Sequence, residues 1–358
     1  MALASYPVEM ASTRYRLTQF VAPLAERGIS LEIRPFLDSR LTASLYSRSE
    51  WPRTTLGLMR ASLHRLGEVW RAQHADVLFV QREAMIIGPP LVEWLAMRMG
   101  RCPMVLDLDD ATYVAYLSPT YGRLGSSLKW FSKTDDLIGW AKIVTCGNRS
   151  IAEYVTSQGK QAVIIPTVVD TDQFSPRAEP RTEDVPVIGW VGTHSTYQYL
   201  ASIFPVLQRL ARTHRFRLKV IGAGREQIMI PGVEIENLAW RLDREIADFQ
   251  SFDIGLYPIV EDDWSVGKSG FKAVQYMAVG VPFVTTPVGA CAEIGEPLVT
   301  HLLAQTEDEW YAALSQLLTD EHLRRRLGAA GRRHAVERYT VAAQAQKLAD
   351  VFHEAMRT

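Results

Sequence analysis

Cysteine is scarce in this chain, and its spacing excludes two kinds of site. The three cysteines, Cys102, Cys146 and Cys291, are far apart and odd in number. Disulfide frameworks and structural zinc sites both need clustered or regularly spaced cysteines. We therefore expect a protein of a reducing compartment such as the cytosol, with no disulfide framework and no cysteine-based metal site.

Excess charge and long apolar runs are also missing. The net charge of −1 argues against non-specific nucleic-acid binding as the main function, so no nucleic-acid partner is expected. No apolar run approaches the ~18 residues that cross a bilayer. The first residues, MALASYPVEM, lack the basic and apolar regions of a secretory signal. The sequence predicts a cytoplasmic protein that touches a membrane at most peripherally, on its inner face.

Strand-like and helical segments alternate along the first half of the chain. A length of 358 residues exceeds the size at which one hydrophobic core keeps growing, so two domains are expected. The alternation is typical of an α/β fold with a doubly wound parallel sheet. Predicted strands cover 29–36, 77–80, 104–108, 143–146 and 162–165, and predicted helices cover 16–27, 91–99 and 151–158.

A change of composition marks a boundary near the middle. Residues 167–186 are rich in proline and charge and have no period, which is typical of an interdomain linker. We predict an N-terminal domain over 1–166 and a C-terminal domain over 187–341, with a final helix near 342–358 that can pack back onto the first domain. In the second domain, predicted strands cover 187–191, 217–221, 254–258 and 282–285, and predicted helices cover 199–211, 242–251, 271–279 and 307–318.

Polar residues follow several of the predicted strands. Thr193-His194-Ser195 comes after IGWVG, Ala223-Gly224-Arg225 after LKVIG, and Gln81-Arg82-Glu83 after VLFV. Ligands of open parallel sheets bind outside the carboxyl ends of the strands. Two such sheets therefore predict a polar cleft between the domains, formed by these strand ends.

The stretch VGKSGFKAVQYMAVGVPFVTT carries two lysines, Lys268 and Lys272, next to a predicted helix. One helical turn apart, these lysines would share a face. Gly267 and Gly270 allow close approach of the backbone to a ligand, and the N–H groups of a helix start favour an anion. From these residues alone, two interpretations of the stretch are possible. It is either an anion-binding site or an ordinary glycine-containing loop with two solvated lysines.

Five segments taken in order are more specific. IIPTVVDTDQFSP, GWVGTH, LKVIGAG, FDIGLYPI and GFKAVQYMAVGVPFVTTPVG together resemble the retaining GT-B glycosyltransferases of the large family 4 type, which includes bacterial capsule, lipopolysaccharide and exopolysaccharide sugar transferases. The resemblance extends over nearly the whole chain and implies two Rossmann-like domains facing across a cleft. It implies that the second domain holds a nucleotide sugar and the first receives the acceptor. It also implies that protein cations and helix N-termini, rather than a metal ion, stabilise the leaving diphosphate, and no cofactor is expected.

The resemblance assigns donor binding to strand ends and a helix start of the second domain. The predicted donor-binding residues are Gly192, Thr193, His194, Gly222, Gly224, Lys268, Ser269, Gly270, Phe271, Lys272 and Gln275. The chain departs from the family's usual pair of glutamates, because Gly267 and Gln275 occupy those positions. Gln275 can still hydrogen-bond a ribose.

A second departure concerns the cations that grip the diphosphate. Many relatives have an arginine and a lysine where this chain has Thr193 and Gln198, which are neutral. A leaving diphosphate needs cations to offset its developing charge. Lys268 and Lys272 are therefore the predicted diphosphate clamp, and Lys268 is a predicted catalytic residue.

Candidates in the first domain are acidic and basic. Asp107 and Asp109 share one face of a strand, and Asp110, just beyond it, is the preferred catalytic residue; local hydrogen bonding by these carboxylates is the alternative. Arg14, in a glycine-free loop, and Arg82 are candidates for contact with the acceptor or a phosphate. For Arg82, an ion pair with Glu83 is the alternative.

Residues 53–73 show a basic amphipathic pattern. Leu56, Met59, Leu63, Leu66 and Trp70 form one helical stripe, with Arg53, Arg60, Arg65 and Arg71 around it. The ordinary interpretation is a stripe that faces the core and has a solvated basic edge. The alternative is a surface that rests on anionic lipid near a lipid-linked acceptor.

The predicted function is a hexosyltransferase. It would move a sugar from a nucleotide diphosphate sugar, with UDP as the expected nucleotide, to a glycan, lipid-linked or small-molecule acceptor, with retention and without a metal. A UDP-sugar epimerase of GT-B fold and a non-catalytic nucleotide-sugar-binding subunit stay open. UDP release that requires acceptor indicates a transferase, and UDP binding without turnover indicates a binding subunit.

Overall fold

The structure, a computed structural model, describes residues 1–45, 48–100, 102–116, 122–179 and 185–357. The chain divides into two compact units. Unit 1 contains Met1–Val168, Gly267–Ser269 and Val341–Thr358, and unit 2 contains Val169–Val266 and Gly270–Thr340. The predicted linker thus falls largely at the start of unit 2, and the last helix belongs to unit 1.

Unit 1 is built on a parallel sheet. Its described strands are β1 (Ala2–Ala4), β2 (Ile33–Pro35), β3 (Leu78–Gln81), β4 (Met104–Leu108), β5 (Ile143–Cys146) and β6 (Ala162–Ile164). They pair in the order β2-β1-β3-β4-β5-β6. Because both faces of such a sheet are covered, its central strands are apolar runs, and every residue of β3, β4 and β5 is buried. The order reverses between β1 and β3, so their carboxyl ends border the crevice where a ligand is expected.

Helices connect these strands within the described part of unit 1. They are α1 (Ala11–Arg16), α2 (Val21–Ala25), α3 (Ser39–Ser44), α4 (Trp51–Ala72), α5 (Leu91–Met99), α6 (Gly122–Lys129), α7 (Lys133–Trp140) and α8 (Arg149–Ser157). Their apolar faces and the sheet form one core, to which α4 contributes Val69 and Ala72, and α5 contributes Val92 and Ala96.

Unit 2 contains a second parallel sheet. Its described strands are β7 (Val187–Val191), β8 (Arg217–Ile221), β9 (Glu234–Leu238), β10 (Ile254–Tyr257), β11 (Phe283–Thr285) and β12 (Leu302–Leu303). They pair in the order β12-β11-β10-β7-β8-β9. The order reverses between β7 and β10, which makes the carboxyl end of β7 the centre of the expected binding crevice of this sheet.

The described helices of unit 2 follow its strands. They are α9 (Tyr197–Ala201), α10 (Phe204–Leu210), α11 (Glu245–Gln250), α12 (Asp263–Val266), α13 (Phe271–Ala278), α14 (Glu307–Thr319) and α15 (Glu321–Arg338). One buried cluster, which joins α11, α13, β11 and the segment before β12, is aromatic. In it Tyr276 stacks on Phe283 with ring centroids 5.7 Å apart, and Phe283 stacks on His301 at 4.9 Å.

The final helix, α16 (Val341–Met356), packs on unit 1. Ala345, Leu348 and Phe352 are buried, and the Phe352 ring meets Phe79 of β3 edge-on, with centroids 5.0 Å apart. Unit 1 therefore completes its core with a segment that follows unit 2 in the sequence.

Several predicted elements have different limits in the structure. The helix predicted over 199–211 is two helices, α9 and α10, because Pro205 lies in the first turn of α10 and has no N–H to continue the preceding helix. The helix predicted over 16–27 is replaced by α1, a 3₁₀ turn at Thr18–Phe20 and α2. Arg14 consequently lies in a helix rather than in the predicted loop.

The interpretation of the 53–73 stripe as core-facing is wrong. Leu56, Met59, Leu63 and Trp70 are exposed, and of the five stripe residues only Leu66 packs against the core, whereas Arg65 is buried. The buried face of α4 consists of Thr54, Arg65, Glu68, Val69 and Ala72.

Candidate active site

The loops after β7 and β8 of unit 2 meet at the switch point of the sheet. Gly222 has φ +78°, and a Cβ there would overlap the carbonyl oxygen of Gly192. Gly224 has φ +62°, and its Cβ would lie 2.9 Å from the Cβ of His194. Both positions therefore need glycine for backbone conformation and for close packing. The predicted donor-binding residues of these two loops are adjacent in the structure.

The loop after β7 is short and folded back on itself. The Thr193 N–H donates to Oγ1 of Thr196 at 2.9 Å, and Oγ1 of Thr193 lies 2.8 Å from Oγ of Ser195. Thr193, His194 and Ser195 are exposed. The exposed side chains at the end of β7 are thus placed to meet a polar ligand.

Helix α13 begins with a glycine that the geometry requires. Gly270, its N-cap, has φ +65°, and a Cβ there would overlap Cδ1 of Ile294. Because glycine has no side chain, the first-turn N–H groups of α13 receive no side-chain cap from this position. Such a helix start favours an anion.

Lys272 is held in the first turn of α13. Its Nζ donates to Oε1 of Gln275 at 3.0 Å and lies 5.3 Å from the ring centroid of Phe249 and 5.9 Å from that of Phe271. Nε2 of Gln275 donates in turn to Oε1 of Glu245 at 3.3 Å. These two hydrogen bonds link Lys272 to Gln275 and Gln275 to Glu245, and they fix the ammonium group of Lys272 within unit 2.

The direct contact predicted between Gln275 and a ribose is not supported. Gln275 has no exposed surface, and its amide oxygen and nitrogen bond to Lys272 and Glu245. Gln275 is therefore placed to position Lys272 rather than to touch a ligand.

Lys268 lies outside α13 and in the other unit. Residues 267–269 belong to unit 1, where Nδ2 of Asn148 donates to the carbonyl oxygens of Gly267 and Lys268, each at 3.0 Å. A Cβ at Gly267 would overlap that of Ala111. The expectation that Lys268 and Lys272 share a helical face is wrong, because the left-handed Gly270 separates Lys268 from the helix. Ser269 is half-buried in the same short segment.

Arg82 organises the carboxylates at the carboxyl ends of β3 and β4. Its Nε and Nη2 donate to the two carboxylate oxygens of Asp109 at 2.5 and 2.7 Å, and Nη2 also donates to Asp110 at 2.5 Å. Arg82 has φ +61°, which is uncommon for a residue with a side chain, and its N–H donates to the Asp107 carbonyl at 2.8 Å. A strained backbone at the switch point of the sheet is typical of a functional site.

The two carboxylates of this cluster differ in proton affinity. Burial raises the pKa of Asp109, but the charge and hydrogen bonds of Arg82 outweigh it, so that pKa lies below its usual value. Burial also raises the pKa of Asp110; Arg82 lowers it, Asp109 raises it, and Lys268 lowers it, with a net rise. Asp110, Arg82 and Lys268, three of the predicted site residues, thus form one electrostatic cluster in unit 1.

The suggested Arg82–Glu83 ion pair is wrong. Glu83 pairs with Lys129 and with Lys133, whose Nζ lies 2.7 Å from Oε2. The side chains of neighbouring residues at the end of a strand point in different directions, so Arg82 is available to Asp109 and Asp110.

The two arginines of α1 have different surroundings. Arg16 is buried and donates to both oxygens of Asp107 and to the Ile165 carbonyl, which makes both residues structural. Arg14 is half-buried, with its guanidinium 4.3 Å from the ring centroid of Tyr15. Arg14 therefore stays a candidate, whereas Asp107 does not.

Two positioning residues were missed by sequence reasoning. Asn148 follows β5 and caps α8 by accepting from the Ile151 N–H at 2.9 Å, which its place between a strand and a helix indicates. Its second role, holding the carbonyls before Ser269, depends on a segment far away in the sequence. Glu245 has no local signal, because it is the first residue of a helix with ordinary amphipathic spacing.

Comparison with known proteins adds to this geometry. Residues 185–320 match the family model described as "Glycosyl transferases group 1". Comparison of the sequence with curated proteins gave no match.

Solved structures match nearly the whole chain. A glycosyltransferase from Rickettsia africae is 14% identical, with 100% of this chain and 98% of that chain covered and a TM-score of 0.72. Anabaena Alr3699/HepE, in complex with UDP-glucose, is 14% identical, with 99% and 100% covered and a TM-score of 0.70. Sucrose-phosphate synthase from Thermosynechococcus elongatus is 14% identical, with 98% and 95% covered and a TM-score of 0.68.

The chain has the GT-B fold. At this level of identity the structural likenesses establish the fold alone, whereas the family match covers the loops after β7 and β8 and the start of α13. That match confirms the prediction that the protein is a glycosyltransferase enzyme. The roles of individual site residues stay predictions.

Within the described ranges, no group of three or more histidine, cysteine, aspartate or glutamate side chains is arranged to hold a metal ion. Among the described helices, none is long and apolar enough to cross a membrane.

Proposed function

We propose that this GT-B protein transfers a hexose from a nucleoside diphosphate sugar to an acceptor hydroxyl, with retention of configuration and without a metal. The proposed nucleotide is UDP, because Anabaena HepE, which has the same fold, is described in complex with UDP-glucose. The acceptor class is a glycan, a lipid-linked glycan or a small molecule, and the protein acts in the cytoplasm, in contact with a membrane surface.

One observation carries the proposal for the donor. In unit 2, the first-turn N–H groups of α13 have no side-chain cap at Gly270, and Lys272 is fixed beside that helix start. Backbone N–H groups and a held ammonium suit a diphosphate, which is compact and highly charged. A sugar or a base alone has no negative charge for this ammonium group and helix start to offset.

The proposed chemical step is a displacement at the anomeric carbon. The acceptor oxygen forms a bond to that carbon on the face from which the diphosphate leaves, the carbon–oxygen bond to the diphosphate breaks, and the acceptor proton moves to the departing phosphate oxygen. Negative charge grows on the diphosphate during this step, so groups that are already fixed lower the barrier most. Lys272 and the α13 N-terminus have this role in the proposal, with Lys268 as a second cation.

Asp110 is proposed to orient the acceptor. Its pKa is raised, mainly by burial, and its side chain is 24% exposed, so it can accept a hydrogen bond from an entering hydroxyl. Nη2 of Arg82 holds the carboxylate at 2.5 Å and restricts its rotation. Asp110 thus fixes the direction of attack rather than forming a covalent bond to the sugar.

The test is a thermal-shift series with UDP, GDP, ADP and UDP-glucose, followed by a UDP-release assay with and without candidate acceptors. A ligand at about 100 times its dissociation constant stabilises the native state by ~2.7 kcal/mol, which displaces a melting curve visibly. We expect UDP and UDP-glucose to raise the melting temperature, and the Lys272→Ala variant to show a smaller rise.

Three results would replace the proposal. A melting temperature that rises with GDP alone would make GDP, rather than UDP, the nucleotide of the donor. Conversion of the sugar without acceptor would indicate an epimerase. Tight UDP binding with no release of UDP under any acceptor condition indicates a binding subunit. Addition of excess EDTA should leave the rate unchanged, and a loss of rate that Mg²⁺ or Mn²⁺ restores would contradict the metal-free step.

A further inference from the structure

The outward face of α4 is apolar. Leu56, Met59, Leu63 and Trp70 are 50%, 60%, 70% and 66% exposed. At 100° per residue, these four positions lie within one narrow sector of the helix surface. Scattered single apolar residues on a surface need no explanation, but a continuous stripe along a long helix does.

The orientation of α4 is fixed by a buried arginine. Nη1 and Nη2 of Arg65 donate to the carbonyl oxygens of Arg34 and Ala4, each at 2.8 Å. Its guanidinium also lies 5.8 Å from the ring centroid of Phe36, and burial lowers the pKa of Arg65 to about 10. If α4 rotated to bury the apolar stripe, these hydrogen bonds of Arg65 would break. The bonds therefore keep the apolar face of α4 towards the solvent.

The acidic and basic side chains of α4 and α5 lie on different faces of these helices. Both carboxylates of these helices, Glu68 and Glu93, are buried. The exposed ionised residues are all arginines, namely Arg53, Arg60 and Arg71 on α4 and Arg98 on α5. In a chain with a net charge of −1, the exposed ionised side chains of these two helices are therefore all basic, although Arg53 lies 3.8 Å from Glu50 and Arg71 lies 2.9 Å from Glu68.

The apolar surface continues onto α5. Leu91, Trp94 and Met99 are 45%, 41% and 45% exposed, and the guanidinium of Arg98 lies 5.5 Å from the ring centroid of Trp94. The inward residues of α4 and α5 share one core, so the two helices lie side by side on the same side of the sheet. Their outward faces form one surface, the α4–α5 face, in which tryptophan, leucine and methionine alternate with arginine.

We propose that the α4–α5 face docks on a bilayer that contains anionic lipid. Tryptophan and long apolar side chains enter the boundary between head groups and acyl chains, and the neighbouring arginines remain at the level of the phosphates. The charge complementarity favours a bilayer over a protein partner, because only arginine is presented over the length of two helices. The inference rests on the proposed transferase function in one respect: it selects a lipid-linked molecule as the acceptor.

A cavity next to the face supports this choice of acceptor. The residues after β1 and β2 and the first turns of α4 line a cavity of about 730 Å³ in unit 1. Arg53, Leu56, Arg60 and His64 belong both to its lining and to α4. A head group attached to a lipid in the docked bilayer would therefore meet Arg53 and Arg60 there, together with the carboxylates of Glu9 and Asp38.

The test is flotation of the full-length protein with vesicles of phosphatidylcholine alone and of equal parts phosphatidylcholine and phosphatidylglycerol. We expect binding to the anionic vesicles that weakens as salt is raised. Each arginine near an anionic surface contributes ~1 kcal/mol, or about fivefold, so Arg53→Gln with Arg60→Gln should weaken binding about 25-fold. Met59→Ser with Leu63→Ser should weaken it at least about tenfold, because two inserted side chains become polar.

Matched controls lie on exposed positions of unit 2. Met229→Ser with Leu298→Ser removes apolar side chains that are 82% and 68% exposed, and Arg212→Gln with Arg325→Gln removes two exposed arginines. Both controls should bind vesicles as the wild type does.

The outcomes separate this inference from the proposed function. Absence of binding to anionic vesicles, or equal binding by the α4 variants and the controls, would overturn docking, and a UDP-induced thermal shift that persists would leave the transferase proposal standing. Vesicle binding without any UDP-induced thermal shift would leave docking standing and contradict the transferase proposal. A dimer that the Met59→Ser, Leu63→Ser variant dissociates, with no vesicle binding, would assign the face to a second copy and refute the lipid surface.

Discussion

Lys272 shows what a single residue contributes when its position is fixed before a ligand arrives. Gln275 accepts its hydrogen bond, and the rings of Phe249 and Phe271 surround the ammonium group. Because no side-chain movement is needed during the reaction, the full charge is available when the leaving group becomes negative. Lysine side chains elsewhere on the surface lose most of this benefit to solvent and to rotamer freedom.

Replacing Lys272 by alanine should lower kcat more than it weakens UDP-sugar binding. Loss of one fixed transition-state donor costs about 10²–10³ in kcat, so a fall of that size is expected in steady-state UDP release. Lys268→Ala should also lower kcat, and Lys347→Ala, at an exposed position of α16, is the matched control. Normal turnover in both site variants would place the diphosphate elsewhere, with Arg14 as the next candidate.

His301 gives a second prediction at this scale, about stability and pH. Burial, with a smaller effect of His334, lowers its pKa from 6.5 to about 4. The unfolded chain therefore binds a proton between these pH values that the folded chain does not. The stability contributed by neutral His301 is fully present above about pH 6.5 and is lost as the pH falls towards 4, by about 3 kcal/mol in total.

The His301→Phe variant measures this contribution. Phenylalanine can keep the stacking on Phe283 but cannot be protonated. Urea unfolding at several pH values should show that the free energy of unfolding of the wild type falls about 3 kcal/mol further than that of the variant between neutral and acid pH. Parallel pH profiles for the two proteins would show that His301 is not the responsible group.

At the scale of elements, the loops after β7 and β8 of unit 2 can lie close to each other only because they contain glycine. Gly222→Ala must adopt a left-handed φ and also overlap the Gly192 carbonyl. The backbone conformation alone costs ~1–2 kcal/mol, so we expect a melting temperature lower by roughly 4 °C or more and weaker UDP binding. Gly67→Ala in α4 is the control, since its Cβ would meet nothing within 4 Å and should stabilise the helix by up to ~1 kcal/mol. Similar effects of the two substitutions would contradict this account of the loops.

Elements whose signal is local could be predicted from the sequence. β4, β5, β7 and α5 have the predicted limits, because buried parallel strands are mostly apolar runs and α5 ends at a glycine. β9 was not predicted, since its residues, EIENL, are mostly polar and none of them is fully buried at this edge of the sheet. The direction of the α4 stripe was not predictable either, because one buried arginine decides it through carbonyl groups of distant strands.

Part of the site could be predicted from the sequence, because part of its signal is also local. Glycines and polar residues after strands marked the loops at the switch points, and these loops depend mainly on their own strands. Glu245, which binds Gln275, Asp110, which binds Arg82, and Asn148, which binds the Lys268 carbonyl, are tens of residues or more away from these residues in the sequence. Periodicity carries no information about such contacts. Hydrogen-bonded chains between elements are therefore what the structure adds.

At the scale of the whole molecule, α16 is the notable connection. It follows unit 2 in the sequence but supplies buried residues to unit 1, with Phe352 against Phe79. Phe352→Ala should destabilise unit 1 by ~3–5 kcal/mol, as large core truncations do. Calorimetry should then show a lower unfolding transition that is insensitive to UDP and a second transition that UDP still raises. His353→Ala, on the exposed side of α16, is the control, and a uniform loss of both transitions would contradict the assignment.

The return of the chain at α16 also affects synthesis on the ribosome. Residues up to 168 emerge first, but the helix that covers β3 from one side follows only after the whole of unit 2 has been translated. At about 5–20 residues per second, the intervening segment takes on the order of 10–35 s. During that interval the nascent first unit exposes Phe79 and its neighbours, and it is a substrate for chaperones that bind apolar segments. Unit 2, whose elements are contiguous apart from residues 267–269, is free to fold before the unit that precedes it is complete.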